Sequence, residues 1–183
     1  MTSGFAFFET PAGLCGLAWN DALEICGGQL PEPTPELTRR RLQQRFPQLQ
    51  EMEPPPAIAK VLSRLAAALQ GAPDTLEDVP LADADVPEFN RRVYALARHI
   101  PPGQTRTYGE LAAELGGPAV ARAVGQALGR NHFAPLVPCH RVMAAHGQSG
   151  GFSGPVGLKT KLHLLQLEGA PLGSASVEQP GLF

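Results

Sequence analysis

Short β-prone runs, separated by polar or glycine-containing turns, make up the start of the chain. Runs of this kind are typical of strands that pair as hairpins. They lie at residues 5–9, 13–19 and 22–26. The pattern therefore predicts an antiparallel meander of three strands.

A helical pattern replaces the strand pattern further along the chain. Thr34 can cap a helix that has Pro35 at its first position, which predicts a helix over residues 36–46. Four arginines lie along it and either form an exposed basic face or contact a phosphate backbone. They are Arg39, Arg40, Arg41 and Arg45. A second, core-facing helix is predicted by apolar residues at helical spacing up to Gly71. They are Ile58, Val61, Leu62, Leu65 and Leu69.

Residues 72–86 are rich in Asp, Pro and Ala, which indicates a linker. We place the domain boundary there. The prediction is an N-terminal domain at residues 1–80, a C-terminal domain at residues 87–170 and a loose tail at residues 171–183.

The second half predicts four helices. One begins after Pro87 and ends before residues 101–103, and Thr107 with Glu110 forms a capping box for the next. Residues 116–118 stop that helix and start another over 119–128, so the pair predicts a helix-turn-helix. The last helix is predicted over 158–168. Its inward residues are Leu158, Leu162 and Leu165, and Gly169 caps its end.

Two glycines, one within the helix at 119–128 and one directly after it, are costly. Gly125 and Gly129 each cost about 1 kcal/mol relative to alanine in a helix. We therefore expect a close backbone approach on that side, to a nucleic-acid groove or to another helix.

The two halves of the chain carry net charges of opposite sign, although the net charge of the whole chain is only −2. Residues 1–86 hold 6 Lys and Arg against 12 Asp and Glu, whereas residues 87–183 hold 9 against 5. The basic second half fits an anion-binding face. Three cysteines favour a reducing compartment, and neither a membrane span, nor a signal peptide, nor the short-spaced ligands of a zinc site is found. We expect a cytoplasmic protein without metal.

The candidate nucleophile is Cys139, within Pro138-Cys139-His140-Arg141-Val142. A neighbouring positive charge lowers the pKa of a thiol and favours the reactive thiolate. The alternative is that Cys139 is a small buried apolar residue. Adjacent helical side chains do not face each other, so His140 could assist only through a water or a turn.

This pentapeptide resembles the active-site motif of the O6-alkylguanine-DNA alkyltransferases, the methylated-DNA–protein-cysteine methyltransferases. The similarity extends over residues 87–169. Further matches lie at residues 107–112, 121–125 and 150–154.

The resemblance implies an α/β (α+β) fold. A small ribonuclease-H-like sheet domain precedes a helical, winged-helix-like DNA-binding domain. It implies one irreversible transfer per protein of a methyl or alkyl group from O6 of guanine, and less readily from O4 of thymine, to Cys139. No cofactor is implied. The implied partner is double-stranded DNA, bound by a monomer in the minor groove with the damaged base flipped out.

The resemblance also implies residue roles. His140 is the base acting through a water, Glu168 orients it, Asn131 ties the active-site turn together and Tyr108 protonates the departing guanine. In DNA binding, Arg122 fills the gap left by the flipped base, on a helix that also carries Ala121 and Gly125. The substrate pocket is implied at Val142, Phe152 and Ser153. Arg141 is expected to form internal hydrogen bonds.

Three other functions remain open from the residues. A lesion sensor would bind the damaged base without removing the alkyl group, and relatives of that kind lack the cysteine. A cysteine hydrolase would form a thioester that water cleaves, and would turn over. A regulatory DNA-binding module would bind one sequence of undamaged DNA.

Overall fold

The structure, a computed structural model, describes residues 2–147 and 154–172. Its first three strands are β1 (Gly4–Thr10), β2 (Gly13–Trp19) and β3 (Ile25–Gln29). They form an antiparallel sheet in the order β1-β2-β3. The predicted meander is confirmed, but the third strand begins at Ile25 rather than at residue 22.

A side-chain turn explains the later start of β3. The Asn20 carboxamide oxygen accepts hydrogen bonds from the backbone N–H groups of Ala22 and Glu24, each at 3.0 Å. Asparagine side chains compete with regular pairing in this way. Leu23 has a φ of 62°, which lies outside the strand region. The prediction that strand geometry begins at residue 22 is therefore wrong.

Six helices are described, close to the predicted positions. They are α1 (Pro35–Arg45), α2 (Pro56–Ala68), α3 (Glu88–Arg98), α4 (Tyr108–Leu115), α5 (Ala121–Gly129) and α6 (Gly154–Leu167). A short 3-10 turn precedes α5, and α6 begins earlier than predicted. The mixed α/β architecture is confirmed, whereas the winged-helix detail stays a prediction. In the described part of the chain, no helix has the length and apolar character that crossing a membrane requires.

Local side-chain caps set the starts of α1 and α4 as the sequence predicts. The Thr34 hydroxyl accepts from Leu37 N at 3.2 Å at the start of α1. At α4 the predicted capping box is present: Glu110 N donates to Thr107 Oγ1 at 3.1 Å, and Thr107 N donates to Glu110 Oε2 at 2.6 Å. Each cap satisfies backbone donors that have no partner within the helix.

A two-stranded parallel ladder places the start of α4 beside the candidate nucleophile. Strand β4 (Arg106–Thr107) pairs with β5 (Val142–Met143), with Thr107 opposite Met143. Because Thr107 caps α4 and β5 directly follows the turn that contains Cys139, Tyr108 lies next to that turn. Gly116 and Gly117, at φ 137° and 108°, then reverse the chain between α4 and α5. Only glycine adopts these values readily.

One cluster of buried side chains extends through both halves of the chain. It includes Trp19, Ile58, Val93 and Leu164. Between the halves, the Arg98 guanidinium donates to the carbonyl oxygens of Leu76 and Val79, two buried residues of the predicted linker. The linker is therefore fastened to α3, and the domain boundary within it stays a prediction.

Strand β3 packs tightly on the loop that leads to Cys139. Gly28 N donates to the carbonyl oxygen of His132 at 2.7 Å. A Cβ added to Gly28 would overlap the carbonyl oxygen of Ala134, and one added to Gly27 would lie 2.9 Å from that of His132. The N-terminal sheet thus supports the active-site loop through backbone contacts that only glycine permits.

We predict that Gly28→Ala destabilises the protein, because the new methyl group must displace the backbone at Ala134. Overpacking of this kind costs about 1–3 kcal/mol, and urea unfolding would measure it. The matched control is Gly129→Ala, whose Cβ would meet no atom within 4 Å and which should gain up to about 1 kcal/mol of helix propensity. Equal stability of Gly28→Ala and the original protein would contradict the close packing.

Candidate active site

Cys139 opens a single 3-10 turn, Cys139–Arg141, between Pro138 and β5. The turn is closed by Arg141 N donating to Pro138 O at 2.9 Å. Cys139 is 9% exposed and His140 is fully buried. The turn geometry that the Cys-His adjacency requires is thus present.

A buried carboxylate holds the other two side chains of the turn. His140 Nε2 lies 2.8 Å from Glu168 Oε1, and Arg141 donates to both Glu168 oxygens at 2.8 and 3.0 Å. Arg141 also donates to Ile100 O at 2.8 Å. The internal hydrogen bonds expected of Arg141 are present. The structure also brings Glu168 to His140, as the resemblance implies.

The charges in this network fix the tautomer of His140. Burial alone would raise the pKa of Glu168, but the hydrogen bonds from His140 and Arg141 and the charge of Arg141 outweigh it and lower that pKa, so Glu168 is an ionised carboxylate. Burial lowers the pKa of His140 despite Glu168, so its imidazole is neutral. Because the carboxylate accepts, Nε2 carries the hydrogen. Nδ1 is then a base, and among the described residues it has no hydrogen-bond partner.

The thiol differs from the sequence-based expectation. Burial is the largest influence and raises the pKa of Cys139, while a hydrogen bond with Asn131 and the charge of Lys161 act in the opposite direction. The expectation that the two following residues lower this pKa is wrong, because His140 is neutral and the charge of Arg141 is paired with Glu168. Cys139 therefore rests as a thiol and requires a base to react.

Tyr108, the first residue of α4, is half-buried. Burial and the nearby Cys139 raise the pKa of its phenol to about 12. The group therefore keeps its proton at neutral pH and can act as a hydrogen-bond donor or as an acid.

Asn131 joins the two ends of the loop before the nucleophile. Its Nδ2 donates to Val137 O at 2.9 Å, and its Oδ1 accepts from Phe133 N at 2.9 Å. These bonds tie the turn together as the resemblance implies.

Helix α5 presents an open polar face. Arg122 is exposed and Ala121 is half-buried. A Cβ on Gly125 would only touch the Tyr108 ring, at 4.0 Å, and one on Gly129 would meet nothing within 4 Å. Contacts within the described chain therefore do not account for either glycine.

The predicted substrate pocket is described in part. Val142 is fully buried in β5, directly after the reactive turn. Phe152 and Ser153 lie outside the described residues.

Lys161 is a site residue that the sequence analysis did not find. It is fully buried in α6, and its Nζ donates to Val142 O at 2.6 Å. Leu158 and Leu162, predicted to face inward, are only half-buried. The sequence feature that could have identified Lys161 is its helical spacing from Leu158 and Leu165, which places it on the apolar side of the predicted helix.

The described residues hold no group of three or more His, Cys, Asp or Glu side chains arranged to bind a metal ion. What the described site offers is a thiol, a neutral imidazole oriented by a carboxylate, a protonated phenol and a buried ammonium. This set can remove a proton from sulfur and deliver one to a leaving group.

Comparison with known proteins confirms the resemblance. A family model described as 6-O-methylguanine DNA methyltransferase, DNA binding domain, matches residues 88–170. The methylated-DNA–protein-cysteine methyltransferases of Mycobacterium leprae and Mycolicibacterium paratuberculosis are each 46% identical to this chain, over 112 and 116 residues. These matches cover 61% and 63% of this chain, and 66% and 68% of the two relatives.

Solved structures extend the similarity to nearly the whole chain. The crystal structure of Mycobacterium tuberculosis O6-methylguanine methyltransferase matches with a TM-score of 0.66 at 31% identity, covering 97% of this chain and 99% of that one. A crystal structure of Mycobacterium tuberculosis OGT in complex with DNA matches with a TM-score of 0.65 at 29% identity, covering 96% and 99%. The chain belongs to the methylated-DNA–protein-cysteine methyltransferase family.

Proposed function

We propose that this protein repairs DNA by moving an alkyl group from O6 of guanine to its own Cys139, once per molecule. The observation that carries the proposal is the buried Cys139–Arg141 turn. Within it a protonated thiol is followed by an imidazole whose Nδ1 is held as a base by Glu168. The names of the related proteins support the same chemistry.

The reaction balances with the side chains present. Cys139 Sγ attacks the alkyl carbon, so that an S–C bond forms as the C–O6 bond breaks. The thiol proton moves through a water to His140 Nδ1, and the departing guanine takes a proton from Tyr108. The base and the acid are thus a neutral imidazole and a phenol with a pKa of about 12.

The product explains why one molecule would act only once. Water cleaves a thioester but not a thioether, so S-alkyl Cys139 is final. O4-alkylthymine, which presents the same oxygen–alkyl bond, is the lesser substrate of this proposal.

We predict that removal of O6-methylguanine from a duplex in excess stops at one lesion per protein. Chromatography of the remaining damaged base would count the events, with Cys139→Ser as the control that removes none. Continued turnover would favour a hydrolase. Binding without any removal would favour a lesion sensor.

DNA is the partner that the comparisons support. The matching family model is a DNA-binding domain, and Mycobacterium tuberculosis OGT has been solved with DNA. We place α5 in the minor groove, where Ala121 and Gly125 allow close approach and Arg122 fills the space left by the flipped guanine. Extruding a base costs a few kcal/mol, and a planar cation in the gap offsets part of that cost.

The extruded guanine would enter a pocket beside Cys139. Phe152 would form its stacking wall, and backbone groups of Val142 and Ser153 would bind the guanine edge. One protein molecule would act on one lesion as a monomer.

We predict that Arg122→Ala slows transfer from duplex DNA about 10- to 100-fold, since each 1.4 kcal/mol of lost stabilisation is a factor of ten. Reaction with free O6-benzylguanine, which needs no base flipping, should keep its rate. The matched control is Arg91→Ala, another exposed helical arginine, on α3. Equal losses with both substrates would remove Arg122 from base flipping.

A further inference from the structure

Lys161 is a charged residue whose side chain has no solvent exposure. Its side chain is fully buried in α6, between the turn that carries Cys139 and the start of α4. Placing an ammonium in the protein interior costs free energy unless nearby groups stabilise the charge. A buried lysine beside a nucleophile therefore requires a physical reason.

A hydrogen bond and a nearby aromatic ring define the surroundings of this ammonium. Lys161 Nζ donates to Val142 O at 2.6 Å, and Val142 directly follows the Cys139–Arg141 turn. Nζ also lies 6.0 Å from the centroid of the Tyr108 ring, at the outer limit of a cation–π interaction. The cation is thus held among three groups of the proposed reaction centre, namely the nucleophile's turn, the pocket residue Val142 and the phenol.

The remaining charged groups of the site are engaged with each other. Glu168, further along α6, binds His140 and Arg141 of the turn. Among the described residues, Cys139 and His140 are coupled electrostatically to Lys161, the Tyr108 ring lies near its ammonium, and all three side chains are neutral at rest. A negative charge therefore develops beside Lys161 when the Cys139 thiol loses its proton.

We propose that Lys161 is a positioning residue for alkyl transfer, whose ammonium stabilises the negative charge that develops on Cys139 while it holds the carbonyl of Val142 in place. This proposal rests on the proposed function only in naming the reaction. The stabilised species is the thiolate, which exists without DNA.

The effects of Lys161 and Cys139 on each other's pKa have the directions that mutual stabilisation of their charges requires. Burial lowers the pKa of Lys161 to about 8, and Cys139 acts to raise it. Reciprocally, Lys161 acts to lower the pKa of the Cys139 thiol against the larger effect of burial. Each group thus favours the charged form of the other, as an ion pair formed during the reaction requires.

We predict that Lys161→Met shifts the pH profile of Cys139 alkylation by iodoacetamide to higher pH. Below the midpoint the rate should fall about tenfold, because one unit of thiol pKa changes the thiolate fraction by that factor. Peptide mass spectrometry would follow Cys139 separately from Cys15 and Cys26. Lys159→Met, which removes an exposed lysine of the same helix, should leave the profile unchanged.

A second variant separates charge from hydrogen bonding. Lys161→Gln keeps a donor for Val142 O but no charge, so it should shift the profile as Lys161→Met does. Restoration of the original profile by glutamine would overturn the electrostatic role and leave a structural one. An unshifted profile in both variants would overturn the proposal altogether.

The unsubstituted lysine provides a test that survives if these variants do not fold. The chain has three lysines, Lys60, Lys159 and Lys161, so their ¹³Cε resonances can be titrated individually. In Cys139→Ser the titration of Lys161 should move to lower pH, because the thiol that loses its proton as the pH rises, and then favours the charged form of Lys161, is gone. No movement would contradict the coupling. Failure of the unsubstituted protein to act on O6-methylguanine would instead contradict the proposed function and leave these two results standing.

Discussion

The carboxylate of Glu168 is the interaction on which the rest of the site depends. It accepts hydrogen bonds from His140 and from Nε and Nη2 of the Arg141 guanidinium, in a fully buried position. Removing one partner of such a buried charged network costs about 3–5 kcal/mol, since the others are left uncompensated. The same bonds set the tautomer of His140, so stability and reactivity share one set of contacts.

The backbone around Glu168 shows how tightly this point is packed. A Cβ on Gly71 or Gly103 would lie 3.2 or 2.9 Å from the Glu168 carbonyl oxygen, and both glycines have positive φ values, 97° and 85°. Arg141 also reaches Ile100 O, just after α3. The end of α2, the end of α3 and the reactive turn therefore converge on the end of α6. A helix-end carboxylate is unfavourable beside the helix dipole, and its internal partners outweigh that cost here.

Contacts from the acidic N-terminal half hold in place the loop that precedes Cys139 in the basic C-terminal half. Gly28 holds the loop before Cys139, and Arg45 donates to Gly28 O from α1. Two further arginines of α1 pair with carboxylates of the same half, Arg39 with Glu51 and Arg41 with Glu32. These three arginines thus have partners within the described chain, and the basic face of α1 is at least partly used internally.

Short-range features such as helix caps could be predicted from the sequence, whereas the burial of individual side chains could not. The capping box of Thr107 and Glu110 spans a single helical turn, so its residues alone determine it. The apolar pattern places the start of β3 too early, because the Asn20 side chain and the positive φ of Leu23 outweigh that pattern. The low pKa expected of Cys139 is wrong because burial, which the neighbouring residues do not reveal, raises the pKa of the thiol. Lys161 was missed because only the folded chain shows that its ammonium is enclosed.

The most direct test of the account is the intact mass of the protein after reaction with a duplex containing O6-methylguanine. The account predicts a gain of one methyl group per molecule, located by peptide mapping at Cys139 and absent from Cys139→Ala. A methyl group found at Cys15 or Cys26, or an unchanged mass after the lesion has disappeared, would contradict it.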